Sequence, residues 1–313
     1  MLTLNPGMRR MFCLVGAIIL GGVIPVIFSA ARDFFDNEKG VAVNIVPPLI
    51  MLMLLSSFID VKLKKGSTGW SLLRILIFMP VIATVAYFVL LKTTGSENYA
   101  IMGFLIGMTP TATSAPVITG LLNKRADYVT VATVATNLFT AFALAPLTAI
   151  VVGGRVEINT PALAMKTILL IGVPFLLAVI FRNFAKPVAE FIRRHKRFSF
   201  YLWMIMLFTV CAQSSAYICK QEDLSHAILL QILGLAAVMC VINFVAGFAL
   251  GEAKFRRECS QALGQKNTML MLWVGLAFFN PIVALGPTFY VVCHNLWNSW
   301  QLRVADKNAT TVA

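Results

Sequence analysis

Acidic residues are scarce in this sequence, and none falls in the middle of a long apolar stretch. Only 13 of the 313 residues are Asp or Glu, and charged residues together make up 12% of the chain, about half their share in soluble globular domains. Intramembrane hydrolases need a nucleophile with a base, a carboxylate pair or metal ligands. The sequence contains neither HExxH nor GxSxG, so a membrane enzyme is a weak alternative.

Cysteine patterns that would indicate a disulfide framework or a metal site are also missing. The six cysteines lie in or beside apolar segments, with no paired metal-ligand spacing between them. Such cysteines are typical of packing positions rather than of reactive or metal-binding ones. We therefore expect neither a metal site nor a cofactor.

Apolar residues fill the chain instead, at 59% of the sequence. Reading for stretches of about 20 apolar residues predicts an all-α polytopic membrane protein. Its ten candidate spans cover roughly 12–30, 41–59, 70–92, 98–122, 128–152, 161–182, 198–219, 225–251, 256–279 and 281–301. The first stretch could instead be a signal peptide, because Arg9 and Arg10 precede it and Ser29–Ala31 resembles a cleavage site.

Basic residues alternate strictly between the predicted loops. Eighteen lie in the segments on one side and five in those on the other, and Lys and Arg accumulate on the cytoplasmic side. This asymmetry predicts that both termini are cytoplasmic, and it explains the net charge of +13 without nucleic acid. We expect the membrane to be a bacterial inner membrane. The basic segment Glu190–Phe200 is interpreted as an interfacial helix or loop in contact with lipid headgroups.

Ten spans divide into two five-span halves of opposite orientation, residues 1–155 and 156–313. Inverted repeats of this kind place their binding site where corresponding helices are broken near the middle of the membrane. The fourth span contains Pro110 and Pro116, which flank Thr111, Thr113 and Ser114, and the ninth contains the polar stretch Gly264–Thr268. Proline kinks with hydroxyls bonded to their own helices are the alternative explanation.

Four segments carry a resemblance to a known family. They are "PTATSAPV", "TVATVATN" at Thr130–Asn137, "ALGQKNT" at Ala262–Thr268 and "GPTFYVVCHNLWNSW" at Gly286–Trp300. Together they resemble the bile acid:sodium symporter family. The resemblance implies discontinuous helices 4 and 9 that cross at the midplane, and a secondary transporter that carries organic anions by alternating access. It also implies a panel domain from spans 1, 2, 6 and 7 and a core domain from spans 3–5 and 8–10.

The resemblance carries some functional residues over and leaves others out. Matching positions are Thr113, Thr133, Asn267, His294 and Asn295. Where the family has a sodium-binding glutamate and a glutamine in helix 9, this chain has Ala262 and Lys266. The family's Ser-Asn in helix 4 is Ala115-Pro116 here, and its serine in helix 5 is Val129. Both sodium sites are therefore expected to be lost.

Lys266 is the only basic residue well inside a predicted span. An ionisable side chain at that depth costs roughly 2.5–3.5 kcal/mol on insertion scales, so a functional role is expected. We predict that its ammonium replaces a sodium ion, with the hydroxyls of Thr111–Ser114, Asn267 and nearby carbonyls as acceptors. An amine at this depth is also a candidate proton carrier. Snorkelling to a membrane surface is the alternative.

The sequence thus predicts a sodium-independent transporter of a small organic anion. A sodium-coupled symporter that uses the remaining hydroxyls and carbonyls, and a channel or transport-like receptor, remain alternatives. The expected substrate-binding residues are Thr111, Thr113, Ser114, Asn267, His294 and Asn295. The expected coupling residues are Gln265, Lys266, Thr133, Asn137 and Thr268, and the expected helix-break residues are Pro110, Pro116 and Gly264. His294 could instead bond a carbonyl of a neighbouring helix. Gln213, Ser214, Ser215 and Asn243 either line the cavity or join helices.

Overall fold

The computed structural model describes residues 6–35, 41–59, 61, 68–195, 197–220 and 226–312. Within these ranges the chain forms fourteen helices and no strand. The first seven are α1 (Pro6–Ile27), α2 (Ser29–Phe35), α3 (Val41–Ile59), α4 (Trp70–Thr94), α5 (Glu97–Met108), α6 (Ala115–Leu121) and α7 (Ala126–Val151). The others are α8 (Thr160–Phe184), α9 (Lys186–Arg194), α10 (Arg197–Lys220), α11 (His226–Leu250), α12 (Arg256–Gly264), α13 (Thr268–Phe278) and α14 (Pro281–Val312).

Five of the described helices are long and apolar enough to cross a membrane, judged by length and composition. They are α4, α7, α8, α11 and the Phe200–Lys220 part of α10. The all-helical membrane class predicted from composition is confirmed. The predicted fourth and ninth spans are each divided into two short helices, α5 with α6 and α12 with α13.

The first predicted span is bent near its end, whereas the sequence predicted one continuous helix. The chain bends by 112° between α1 and α2, so the stretch predicted at 12–30 is not one straight helix. Arg32 explains how the bend is stabilised, since its Nε donates to Pro25 O at 3.0 Å and its Nη2 donates to Val26 O at 3.1 Å. These carbonyls lie in the last turn of α1, where helical partners run out.

Small residues allow two helix pairs to approach closely. A Cβ on Gly107 of α5 would lie 2.4 Å from Ala83 Cα of α4, and one on Gly247 of α11 would lie 2.5 Å from Cys259 O of α12. Glycine at membrane helix interfaces allows this backbone contact. Each of α5 and α12, which precede the two interruptions, is therefore packed tightly on a long neighbouring helix.

Candidate functional site

The first interruption separates α5 from α6 at residues 109–114. Pro110 has no N–H and cannot continue a helix, and Thr109 before it is extended, with φ −62° and ψ 126°, as expected for a residue before proline. Pro116 lies in the first turn of α6, a position where proline is well tolerated. Of the two prolines expected to break the span, Pro110 lies within the break and Pro116 is the second residue of the helix after it.

The second interruption consists of Gln265, Lys266 and Asn267, between α12 and α13. Gly264 is the last residue of α12 and Thr268 the first of α13. A Cβ on Gly264 would lie 2.3 Å from the ring of Phe244. The residue that closes α12 therefore has to be small because an aromatic ring of α11 occupies the adjoining space.

The two interruptions lie side by side and bond to each other. Ala112 N donates to Gln265 O at 2.8 Å, and Asn267 N donates to Pro110 O at 2.7 Å, which makes Thr111 and Lys266 an antiparallel bridge. The Thr111 hydroxyl also donates to Ala262 O at 2.6 Å. Backbone groups freed by the breaks thus find partners in protein, as burial within a membrane requires. We call residues 109–114 and 265–267 the crossing.

The Lys266 ammonium lies at the end of α5. The residue is 1% exposed, and its Nζ donates to Gly107 O at 3.1 Å and to Thr109 O at 3.0 Å. Carbonyls in the last turn of a helix lack helical partners and carry the negative end of its dipole. The ammonium therefore satisfies these acceptors, and the snorkelling alternative does not fit its burial.

The acceptors of Lys266 differ from those expected. Nearby carbonyls accept as expected, but the hydrogen bonds of Nζ go to Gly107 O and Thr109 O, not to the hydroxyls of Thr111–Ser114 or to Asn267. The Thr111 hydroxyl is already committed to Ala262 O. The end of a helix presents carbonyls that have no partner within the helix. Such backbone acceptors cannot be identified from the positions of Ser and Thr in the sequence.

Helix α7 supports the crossing with a row of polar side chains. Asn137 Nδ2 donates to Thr111 O at 3.1 Å, and Thr136 Oγ1 accepts from Thr111 N at 3.0 Å. Thr133 Oγ1 donates to Val129 O at 2.8 Å and lies 3.5 Å from Ala112 O. Asn267 Nδ2 donates to Asn137 Oδ1 at 3.5 Å. The role of Thr136 was missed, although its spacing of three residues from Thr133 places both on one helical face.

Two further contacts connect the crossing region to α14. The Tyr290 hydroxyl donates to Gly264 O at 2.8 Å. Gln265 Nε2 donates to Gln261 Oε1, and Gln261 Nε2 donates to Gln301 Oε1 at 2.6 Å. The Gln265 side chain is therefore bonded to α12, and Thr268, the first residue of α13, is buried. Sequence reasoning missed Tyr290, Gln261 and Gln301, whose partners are distant in the chain.

The expected substrate-binding residues differ in exposure. Thr113, Ser114, Asn267 and Asn295 are half-buried, whereas Thr111 and His294 are buried. Asn295 Nδ2 donates to Val291 O of its own helix at 2.8 Å. The His294 ring packs edge-on against Tyr290, and its Nδ1 has no hydrogen-bond partner among the described residues. The bond to a neighbouring helix's carbonyl, considered above, is not observed at Nδ1.

A mainly apolar cavity of about 230 Å³ lies between α1, α10, α13 and α14. Its polar lining residues are Ser214, Ser215 and Thr288. It is also lined by Met269 of α13, two residues after the second interruption ends at Asn267. Ser215 Oγ also donates to Gly22 O, so this serine both lines the cavity and joins α10 to α1. Asn243 Nδ2 donates within α11 to Met239 O at 2.8 Å.

Comparison with known proteins identifies the class of molecule that this arrangement belongs to. The family model described as "Sodium Bile acid symporter family" matches residues 38–221, more than half of the chain. The chain belongs to the sodium bile acid symporter family. No curated protein matches it. The matched part of this symporter-family chain includes the α5–α6 interruption and α7, and it ends before Lys266.

Membership in the symporter family makes the chain an integral membrane protein of the transporter class. The apolar helices agree with this assignment. The predicted resemblance is thereby confirmed. Because the matched residues end at position 221, the family match does not extend to Lys266, and the role of Lys266 rests on the geometry of this chain.

Proposed function

We propose that the protein is a secondary active transporter of a small organic anion that works by alternating access without sodium. The observation that carries the proposal is the Lys266 ammonium, which is buried in the crossing and donates hydrogen bonds to Gly107 O and Thr109 O. A sodium ion in this class of site would be held by oxygen ligands. Here the side-chain ammonium of Lys266 already binds two backbone oxygens, those of Gly107 and Thr109.

The residues around Lys266 support sodium independence. Ala262 stands where the resemblance expects a carboxylate, and its own carbonyl accepts from Thr111. The nearest acidic residue along α12 is Glu258, whose Oε1 accepts from Arg125 N at 3.0 Å near the start of α7. Sodium-coupled transport through the remaining hydroxyls and carbonyls is the second candidate function, and Thr133 and Asn137 are the side chains that favour it.

The local charges support an anionic substrate. Asn267 is the N-cap residue of α13, and the N-terminus of a helix carries partial positive charge and unpaired N–H groups. The cavity begins beside it, at Met269. We propose that a carboxylate lies near Thr113, Ser114 and Asn267 while the apolar part of the substrate occupies the cavity towards His294 and Asn295.

The proposed architecture is ten spans in two inverted repeats, residues 1–155 and 156–313, with both termini in the cytoplasm. Two observations support it. Each half contains a span divided into two short helices, α5 with α6 and α12 with α13, and the first helix of each pair packs on its neighbour through a glycine, Gly107 or Gly247. Packing of α1 on α10 and of α3 on α8 and α10 supports the panel domain, while α8 packs on α7 and α3 on α13 where the panel meets the core. The proposed core domain comprises α4–α7 and α11–α14.

Transport itself is tested by reconstitution. Purified protein in liposomes is assayed with tritiated taurocholate, pantothenate and pyruvate, and metabolites of overexpressing and deletion strains are compared to extend the set. We expect saturable uptake of an organic anion that is accelerated by the same anion on the other side. Uptake that does not saturate and shows no such acceleration would indicate a channel instead.

Sodium independence gives the first quantitative expectation. Replacing sodium chloride by choline chloride on both sides of the liposomes should leave the initial uptake rate unchanged, because Lys266 supplies the positive charge. The measurement is the rate at several sodium concentrations and constant ionic strength. A steep rise with sodium would favour the sodium-coupled alternative.

The orientation is tested at the two ends of α4. Single cysteines replace Thr68, just before α4, and Thr93, in its last turn, in a cysteine-free background. Helix α4 has 25 residues and is about 37 Å long. We expect a membrane-impermeant maleimide to label Thr93→Cys in intact cells and Thr68→Cys only after permeabilisation. Labelling of both from the same side would refute the ten-span arrangement. Most of the loop predicted at 62–69 lies outside the described residues.

A further inference from the structure

Helix α9 begins where an apolar helix long enough to span the membrane ends. α8 ends at Phe184, and α9 starts at Lys186, after the single residue Ala185. Ala185 has φ −129° and ψ 57°, which breaks the continuity of the two helices. A helix attached this closely to the end of a span is held at the level of the lipid headgroups.

One face of α9 is fixed to the protein. Ala189 is 1% exposed, and the helix packs on α8 and α3. Arg193 Nη2 donates to Ile59 O at 3.1 Å, a carbonyl at the last residue of α3, where a cation is favourable. The position of α9 relative to two neighbouring helices is therefore set by packing and by a charged hydrogen bond.

Large apolar side chains are exposed on α9 and at the end of α8. On α9, Val188 is 42% exposed and Phe191 62%, and their spacing of three residues places them on one side of the helix. Phe184, the last residue of α8, is 86% exposed. Exposed aromatic side chains at headgroup level are typical of surfaces that insert into the boundary between headgroups and acyl chains.

Basic residues lie close in sequence to these exposed apolar side chains. Arg182, Lys186, Arg193 and Arg194 lie in the last turn of α8 and along α9, together with one carboxylate, Glu190. Arg194 Nε lies 3.4 Å from Glu190 Oε1 while its side chain stays 75% exposed. The segment therefore carries an excess of positive charge next to apolar side chains, a combination that fits an anionic lipid.

We propose that α9 and the end of α8 form a binding site for an anionic phospholipid. The headgroup phosphate is held by Arg182, Lys186 and Arg194, and Phe184 and Phe191 lie in the adjoining acyl region. The proposal goes beyond the proposed function, since it involves neither the crossing nor the transported substrate. Because α9 contacts α3 and α8, the bound lipid stabilises the packing of these helices at that membrane face.

The test is a titration of the full-length protein in detergent with short-chain phosphatidylglycerol, followed by native mass spectrometry. Phosphatidylcholine of the same chain length is the neutral comparison. We expect wild type to prefer phosphatidylglycerol and Lys186→Gln/Arg194→Gln to bind it about 30-fold more weakly. The matched control Lys92→Gln/Lys124→Gln removes the same charge elsewhere and should bind like wild type.

A second variant separates a lipid from a free phosphate. Phe184→Ser/Phe191→Ser should weaken phosphatidylglycerol binding, and inorganic phosphate should not displace the lipid. Three results would overturn the proposal: equal affinity of wild type for the two lipids, unchanged phosphatidylglycerol binding in Lys186→Gln/Arg194→Gln, and an equal loss of phosphatidylglycerol binding in the control. Displacement by phosphate at the concentration at which the lipid binds would do the same, because it would indicate a simple anion site.

Discussion

Replacing Lys266 by methionine should reduce organic-anion uptake by about two orders of magnitude, in line with the loss of charged hydrogen bonds. Methionine keeps the length of the side chain but leaves Gly107 O and Thr109 O without the donor that they now share. The crossing also loses its cation. Initial uptake rates in liposomes, normalised to the amount of inserted protein, measure the effect.

Lys166→Met provides the matched control for this variant. Lys166 is an exposed lysine of α8 whose Nζ lies 5.3 Å from the centre of the Phe278 ring, far in sequence from the crossing. The Lys166→Met variant should take up the organic anion at the wild-type rate. Retention of wild-type uptake by Lys266→Met, with the protein folded, would show that Lys266 has no part in transport.

Lys266→Arg distinguishes two roles for the cation. A guanidinium remains charged throughout any transport cycle, so the variant should fail if the lysine has to release a proton. If the cation only fills the sodium position, arginine retains the charge and partial transport is expected. Uptake at several pH values in wild type and Lys266→Arg separates the two roles.

Replacing Gly264 by alanine should destabilise the protein by about 1–3 kcal/mol, the usual cost of overpacking. The added Cβ would meet the Phe244 ring at 2.3 Å. That ring stacks on Trp297 with centroids 5.1 Å apart, so it has little freedom to move. The last turn of α12 would have to shift, and with it the neighbouring interruption. Thermal unfolding in detergent measures the loss.

Gly234→Ala is the corresponding control. An added Cβ on Gly234 in α11 has nothing within 4 Å, and alanine is a better helix former by about 1 kcal/mol. Its stability should equal or exceed that of wild type. If both alanine variants unfold at the wild-type temperature, the close packing between α11 and α12 does not constrain Gly264.

The sequence predicted the helical segments and the place of the interruptions because these depend on local signals. Apolar stretches predicted the helical segments, Pro110 predicted the first break, and the polar residues around Lys266 predicted the second. Partners across the fold were harder to predict. The carbonyls that accept from Lys266 lie 159 and 157 residues away in the chain, and backbone acceptors have no signature in residue type.

Side chains that respond to packing were also missed. Thr136 and Tyr290 resemble many other polar residues in apolar helices, and their bonds to Thr111 N and Gly264 O become visible only when the helices are assembled. The bend after α1 was missed for a similar reason, because it depends on Arg32 reaching back to Pro25 and Val26. The basic segment Glu190–Phe200 was interpreted as interfacial, and its first five residues form the second half of the short helix α9 (Lys186–Arg194).

Equilibrium binding of radioactive sodium to the purified protein tests the central claim, that Lys266 replaces sodium, without requiring a known substrate. The double variant Ala262→Glu/Lys266→Gln, which restores the two side chains expected from the family resemblance, provides the comparison. Wild type should show no saturable sodium binding, whereas the double variant should bind sodium. Saturable sodium binding to wild type at the crossing, lost on mutation of Thr133 or Asn137, would contradict the account.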